Sequence, residues 1–117
     1  MSKMLRAGLL AGFVLGIAAT SSQAVDPKAV EKAIDRGVKA LRGMQAADGT
    51  WPYPEIGATA LAGLTLLECG VKADDRAVRR AADVVRQASI ALTHNYSICL
   101  AIFFLDRLGD ANDIPLI

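Results

Sequence analysis

The stretch QAADGTW at residues 45–51, followed by PYP at residues 52–54, separates a charge-rich helical pattern from an almost wholly apolar one. Gly49 accepts the positive φ that often ends a helix, so Asp48-Gly49 indicates a turn. Trp51 is the one tryptophan of the chain and follows that turn directly, where a large ring can pack over the junction. Pro52 and Pro54 disfavour helix and keep the connection extended. The pattern predicts a helix, a tight corner and a buried helix, which together form one unit of an αα repeat.

Residues 1–24 have the three regions of a secretory signal peptide. Lys3 and Arg6 precede an apolar run over residues 7–19, and Ser22-Gln23-Ala24 offers a small-residue cleavage site. The run is shorter than the roughly 20 residues that a bilayer span requires. We therefore predict export to the periplasm or the extracellular space, with an uncleaved N-terminal membrane anchor as the alternative, and assign residues 25–117 to the folded region.

The charge of the folded region is nearly balanced. Without residues 1–24 the chain keeps 11 basic and 12 acidic residues, which gives no electrostatic basis for binding nucleic acid or an anionic membrane surface. Hydrophobic residues make up 53% of the sequence and aromatic residues only 5%. This composition is typical of closely packed helices and differs from that of disordered chains.

The first half of the folded region predicts one amphipathic and one apolar helix. Asp26-Pro27 is a helix start, and an apolar stripe follows it at three- and four-residue steps until the helix ends near Gln45 or Ala47. The stripe consists of Val30, Ala33, Ile34, Gly37, Val38 and Leu41. The second helix, from about Gly57 to Cys69, is apolar on all sides until Glu68, so we expect it to be buried on all sides. Its central Gly63 predicts a close approach of another helix.

The second half repeats this alternation. Asp74-Asp75 is predicted to cap a third, amphipathic helix, and a fourth, mostly apolar helix is predicted from Tyr96 to Leu108, ending at Gly109. The stripe of the third helix consists of Val78, Ala81, Ala82, Val85 and Ala88. Candidate N-cap residues of the fourth helix are Thr93, His94 and Asn95.

The two halves also match residue by residue. Residues 26–35 match residues 74–83 at an offset of 48, and residues 59–68 match residues 97–106 at an offset of 38. Helical repeats of about this period are typical of stacked αα units. We predict an all-α fold of tandem antiparallel helical hairpins, with repeat 1 over about 26–70 and repeat 2 over about 74–109, and with amphipathic helices outside and apolar helices inside.

The spacing Gln45-x-x-x-Gly49-x-Trp51 resembles the QW motif of the prenyltransferase/squalene-oxidase repeats, which belong to the terpene cyclase-like α/α toroids. The resemblance implies that the chain forms the N-terminal portion of such a toroid. It also implies a structural role for Gln45, Asp48, Gly49 and Trp51, which would tie the end of an outer helix to its neighbour. A closed toroid contains about five to seven helix pairs, and this chain offers two. We therefore expect a fragment or a truncated relative, or assembly with further copies.

The catalytic signatures of the family are missing from this sequence. Asp74-Asp75 is the only acidic pair and lacks the additional Asp of the cyclase Asp-x-Asp-Asp motif. The sequence contains neither the Asp-x-Cys of zinc-dependent prenyltransferases nor the Gly-Cys-Gly-Glu-Gln run of thioester proteins. His94, the one histidine, is interpreted as a turn residue and not as a metal ligand. We therefore assign no catalytic residue, metal ligand or cofactor.

Two pairs of residues have alternative interpretations. Tyr53 and Glu55 are expected in a solvated loop, with the mouth of a barrel as the alternative. Cys69 and Cys99 are expected to be buried free thiols, although an exported protein could also pair them as a disulfide.

Two functions fit these patterns. The first is an exported, non-catalytic repeat protein that binds or scaffolds, with its apolar inner helices contacting an apolar or isoprenoid ligand or a second copy of the chain. The second is the N-terminal piece of a terpene (squalene-hopene) cyclase-like or prenyltransferase-like enzyme acting on isoprenoids, with its catalytic residues outside this chain.

Overall fold

The computed structural model describes residues 24–117, and these residues form four α-helices, a short 3-10 helix and no strand. The helices are α1 Pro27–Gly43, α2 Ile56–Glu68, α3 Arg76–Ser89, α4 Asn95–Leu108 and the 3-10 helix Ala111–Leu116. The all-α prediction is confirmed. The bounds of α2 and α4 differ from the predicted ones by a single residue, and α1 ends slightly earlier than predicted. The predicted signal peptide lies outside the described residues, apart from Ala24.

Three of these elements begin at an aspartate that caps its own helix. The side chains of Asp26, Asp75 and Asp110 each accept a hydrogen bond from the backbone N–H two residues later, at 2.9–3.1 Å. Each satisfies one of the N–H groups that a helix start leaves without a partner. Asp75 is thus the N-cap of α3, and its neighbour Asp74 is exposed.

The two apolar helices pack side by side and run in the same direction. Gly57 meets Ser97 near the start of both helices, and Gly63 meets Phe104 further along. Near the other end, Arg107 Nε pairs with Glu68 Oε1 at 2.6 Å. α3 packs against both α2 and α4, so the core lies between these three helices. Its largest fully buried apolar side chains are Phe104, Leu66, Leu105, Val78 and Val85.

The predicted burial of the α1 stripe is wrong. α1 contains no buried residue, and Val30 and Ile34 are 42% and 43% exposed. The matching residues of α3, Val78 and Ala82, are 0% and 1% exposed. The difference follows from position, because α3 lies against two apolar helices whereas α1 packs mainly against α2, through Val38 and Leu41 in its C-terminal half.

The predictions for α2 and for the cysteines also require correction. α2 is not buried on all sides, since no element of the described chain covers its outward face and Leu61 there is 42% exposed. Cys69 and Cys99 are free thiols, as expected, but both are exposed. Cys69 follows the last turn of α2 and Cys99 lies on a solvent-facing side of α4, so apolar neighbours in sequence do not bury them.

An ion-pair cluster fixes the 3-10 helix to α3. Asp113 is 1% exposed, and its two carboxylate oxygens accept from Arg86 Nε at 2.6 Å and from Arg86 Nη2 at 2.8 Å. Arg86 Nη2 also pairs with Asp110 at 3.0 Å. The hydrogen bond to Asp113 raises the pKa of Arg86 above its usual value, because it stabilises the charged guanidinium. None of the helices described here is long and apolar enough to span a membrane.

Candidate functional site

The corner at residues 45–51 joins the end of α1 to the start of α3. Gln45 Nε2 donates to the carbonyl of Gly49 at 3.0 Å and to the carbonyl of Ala77, in the first turn of α3, at 2.9 Å. Arg80 reaches back from α3 and donates to the carbonyls of Ala46 and Ala47. One amide side chain and one guanidinium therefore hold the corner against the first turns of α3.

Trp51 closes the other side of this corner. It is 5% exposed, and its indole Nε1 donates to the carbonyl of Leu41 in α1 at 2.8 Å. Its backbone N–H donates to the hydroxyl of Thr59 in α2 at 3.4 Å. A buried indole N–H normally has a hydrogen-bond partner, and here that partner connects the corner to the end of α1.

Asp48 and Gly49 shape the turn itself. Asp48 Oδ1 accepts from the hydroxyl of Thr50 at 2.7 Å and from its backbone N–H at 3.0 Å. These bonds lower the pKa of the Asp48 carboxyl, because they stabilise its charged form. Gly49 has φ 94°, and a Cβ at this position would lie 2.9 Å from the carbonyl oxygen of Arg80. The turn therefore requires glycine both for its backbone angle and for its contact with α3.

A second site lies where α2 and α4 begin. A groove of about 440 Å³, here called the α2–α4 groove, is lined by Tyr53, Glu55, Ala58, Leu61, His94, Tyr96 and Ser97. Its volume is within the range of about 300–1,000 Å³ that is typical of small-molecule sites. Its walls are mostly aromatic and aliphatic, whereas a hollow of the same volume between α3 and α4 is lined by Asp74, Arg79, Asp83, Arg86 and Asp110 among others.

The polar groups of the α2–α4 groove are gathered at Glu55. Ser97 Oγ donates to Glu55 Oε2 at 3.4 Å, and His94 Nδ1 lies 3.7 Å from the same oxygen. Glu55 and His94 are the N-cap residues of α2 and α4, yet neither side chain makes a capping hydrogen bond. They differ in this from the three aspartate N-caps, and both side chains border the groove instead.

Glu55, His94 and Ser97 are residue types of a hydrolytic triad, but their arrangement differs from one. In a triad the imidazole lies between the hydroxyl and the carboxylate. Here the carboxylate of Glu55 lies between the other two side chains. Ser97 is also 1% exposed and packs against Gly57, so a substrate would not reach its hydroxyl. This order of side chains does not suit nucleophilic catalysis.

Only part of this groove is made of residues that the sequence marks as site candidates. Tyr53 and Glu55 are predicted in a solvated loop, with the mouth of a barrel as the alternative. Both lie in an exposed loop, and both also line the groove. The sequence predicts no site role for Leu61, Tyr96 or Ser97.

His94, which was weighed as a metal ligand, faces Glu55. Residues 24–117 contain no group of three or more His, Cys, Asp or Glu side chains that could hold a metal ion. Glu55 and His94 differ from the preferred N-cap residues Ser, Thr, Asp and Asn. Their place at helix starts is the sequence feature that could have pointed to a role in the groove.

No family model, no curated protein and no solved structure matches this chain. The function must therefore be argued from the geometry of the two sites.

Proposed function

We propose that this chain is a helical-repeat binding module that holds an apolar small molecule in the α2–α4 groove. The proposal rests on the groove. Its lining includes the exposed side chains of Tyr53, Leu61 and Tyr96, and no other part of the described chain covers them. Exposed aromatic and aliphatic side chains grouped in a concave surface are typical of ligand sites.

The arrangement of the helices is part of the proposed function. α2 and α4 form a parallel inner layer, and the corner around Gln45 and Trp51 ties the two outer helices together. This arrangement supports, as part of the proposal, membership of a partial α/α toroid of the prenyltransferase/squalene-oxidase repeat type. In such a toroid the groove would face the interior, so an isoprenoid is one candidate ligand. We further propose that residues 1–24 direct export, so that the module acts outside the cytoplasm.

The role that we propose is non-catalytic. The carboxylate, imidazole and hydroxyl of the groove are not connected in the order that nucleophilic catalysis uses. Asp75, the residue nearest in type to a cyclase acid, is occupied as the N-cap of α3 and pairs with Arg42 at 2.7 Å. No described residue favours the enzyme hypothesis over the binding module.

A fluorescence titration tests the proposal. The neutral probe N-phenyl-1-naphthylamine should bind the 117-residue chain at one site with a blue-shifted emission. Leu61→Asp places a charge on the wall of the groove and should weaken binding about tenfold or more, since burying a leucine-sized surface is worth about 1.5–3 kcal/mol.

Ile90→Asp is the matched control. Ile90 is 90% exposed and lies outside the groove, so this variant should keep the affinity of the parent chain within about twofold, because surface changes away from the site have small effects. Equal losses in both variants, or uptake of several probe molecules per chain, would show non-specific adsorption and contradict the proposal.

A further inference from the structure

The α2–α4 groove has one polar end, and its chemistry restricts the ligand. Glu55 provides the carboxylate at that end, and its side chain is 48% exposed. Oε2 faces Ser97 and His94, whereas Oε1 accepts no hydrogen bond from any residue in the described range 24–117. A residue that lines a mostly apolar hollow therefore keeps a carboxylate oxygen without a partner in this range, and that oxygen can accept a hydrogen bond from a ligand.

The helix dipole and N-capping are the usual structural reasons for an acidic residue at a helix start, and they explain only part of the behaviour of Glu55. A negative charge near the N-termini of α2 and α4 is favourable, because each helix start carries roughly half a positive charge. A capping role would direct a carboxylate oxygen to a backbone N–H of α2, as Asp26 and Asp75 do in α1 and α3. Glu55 makes no such bond, and its carboxylate contacts Ser97, another residue of the groove lining.

Resting on the proposed function, we infer that the ligand is an amphiphile with one apolar chain and a hydrogen-bond-donating head group, a hydroxyl or an amine, that binds Glu55. The apolar chain would lie along Leu61 and Ala58 between the two tyrosines. A hydroxyl or ammonium donates to a carboxylate, whereas a carboxylate or phosphate head group would place two negative charges side by side. The charge of Glu55 therefore disfavours an anionic head group relative to a neutral or cationic donor.

Displacement of N-phenyl-1-naphthylamine from the 117-residue chain tests this inference. Dodecan-1-ol, dodecylamine and dodecanoate carry the same chain with different head groups, and dodecane carries none. The alcohol and the amine should each displace the probe at concentrations about tenfold lower than dodecanoate, since close like charges disfavour the anion. Comparing the concentrations at which dodecan-1-ol and dodecylamine displace the probe also shows whether the site prefers a hydroxyl or an amine.

Glu55→Gln should reduce this discrimination to within about threefold, because the neutral amide removes the charge and keeps the shape. Glu68→Gln is the matched control, since Glu68 is also a glutamate at an end of α2 but lies outside the groove and pairs with Arg107. This variant should keep the full discrimination. Circular dichroism should show the same helix content in all three chains.

The outcomes separate the two proposals. If neither the probe nor any amphiphile binds, the proposed function fails and the inference fails with it. If dodecane, dodecanoate and the donors displace the probe equally and Glu55→Gln changes nothing, the apolar site is real and the head-group inference is wrong. Tighter binding of dodecanoate than of the alcohol would also overturn the inference.

Discussion

At the scale of single residues, the contact of α2 with α4 depends on the absence of a side chain at Gly63. A Cβ at this position would lie 2.5 Å from the ring of Phe104, which is fully buried and held by its neighbours. A glycine in the middle of an apolar helix predicts a close helix approach, and the structure confirms this prediction at Gly63. The partner could not be predicted, because Phe104 is only one of several apolar residues in α4.

Gly63→Ala is expected to destabilise the protein by about 1–3 kcal/mol, because an overpacked core forces strain that exceeds the gain in helix propensity. Gly37→Ala is the control. Gly37 lies in α1 with nothing within 4 Å of its Cβ position, so that variant should be stabilised by up to about 1 kcal/mol. Urea denaturation measures both, and equal shifts in the two variants would contradict the packing argument.

Gln45 makes a second residue-scale prediction. Gln45→Ala removes both hydrogen bonds of the amide and leaves the carbonyls of Gly49 and Ala77 without this donor. We expect a loss of about 1–3 kcal/mol in the free energy of unfolding. Gln87→Ala, at an exposed position of α3, should cost less than about 0.5 kcal/mol. If both variants unfold at the same urea concentration, Gln45 does not hold the corner.

The carboxyl group of Asp48 should make the stability of the fold depend on pH. Its folded-state pKa is lowered by its bonds to Thr50, with a smaller contribution from Arg80. A carboxyl with a lowered folded pKa stabilises the fold above its unfolded pKa, and that contribution is lost as the pH falls through the folded value. Asp48→Asn should therefore be less stable than the parent at pH 7, and the difference should narrow below pH 3.8. Thermal melts between pH 2.5 and pH 7 measure this, and a constant difference would contradict it.

At the scale of helices, α1 and α3 show that an apolar periodicity predicts where a helix forms but not whether its apolar stripe is buried. Both carry the same start signal and an apolar stripe, and both form where the sequence predicts a helix. Burial of the stripe depends on neighbours, and α3 has two apolar helices beside it where α1 has one. An amphipathic pattern therefore indicates which side of a helix suits burial, while only the arrangement of the other helices determines whether that side is covered.

The first turns of α1 should be the least protected helical segment of the described chain. Short helices without tertiary contacts are marginal in water, and α1 lacks buried residues. Amides of residues 30–35 should exchange with deuterium at least about tenfold faster than those of residues 78–83, which match them in sequence and belong to a helix packed into the core. Equal protection of the two segments would show that another surface covers the α1 stripe.

At the scale of the whole molecule, the all-α class and the order of the helices could be predicted, but the groove could not. Each local signal, such as Asp75 as a cap or Gly109 as a stop, acts within a few residues and is visible in the sequence. The groove requires the starts of α2 and α4 to lie side by side, which brings Glu55 to Ser97 across 42 residues of sequence. Nothing local to either residue specifies that contact, so the sequence predicts the exposed loop at Glu55 but not its hydrogen bond to Ser97.

The parallel pairing of α2 and α4 has a consequence for how the protein folds. Glu68 and Arg107 meet across 39 residues, and neither helical hairpin contains a copy of this contact. Closing so long a loop costs entropy before the contact is gained, so α3 must be in place when the pair forms. We expect the α2–α3–α4 region to fold in one kinetic step, with α1 docking afterwards. In stopped-flow refolding, Trp51 fluorescence should then lag behind the main helical signal, and simultaneous changes would contradict this order.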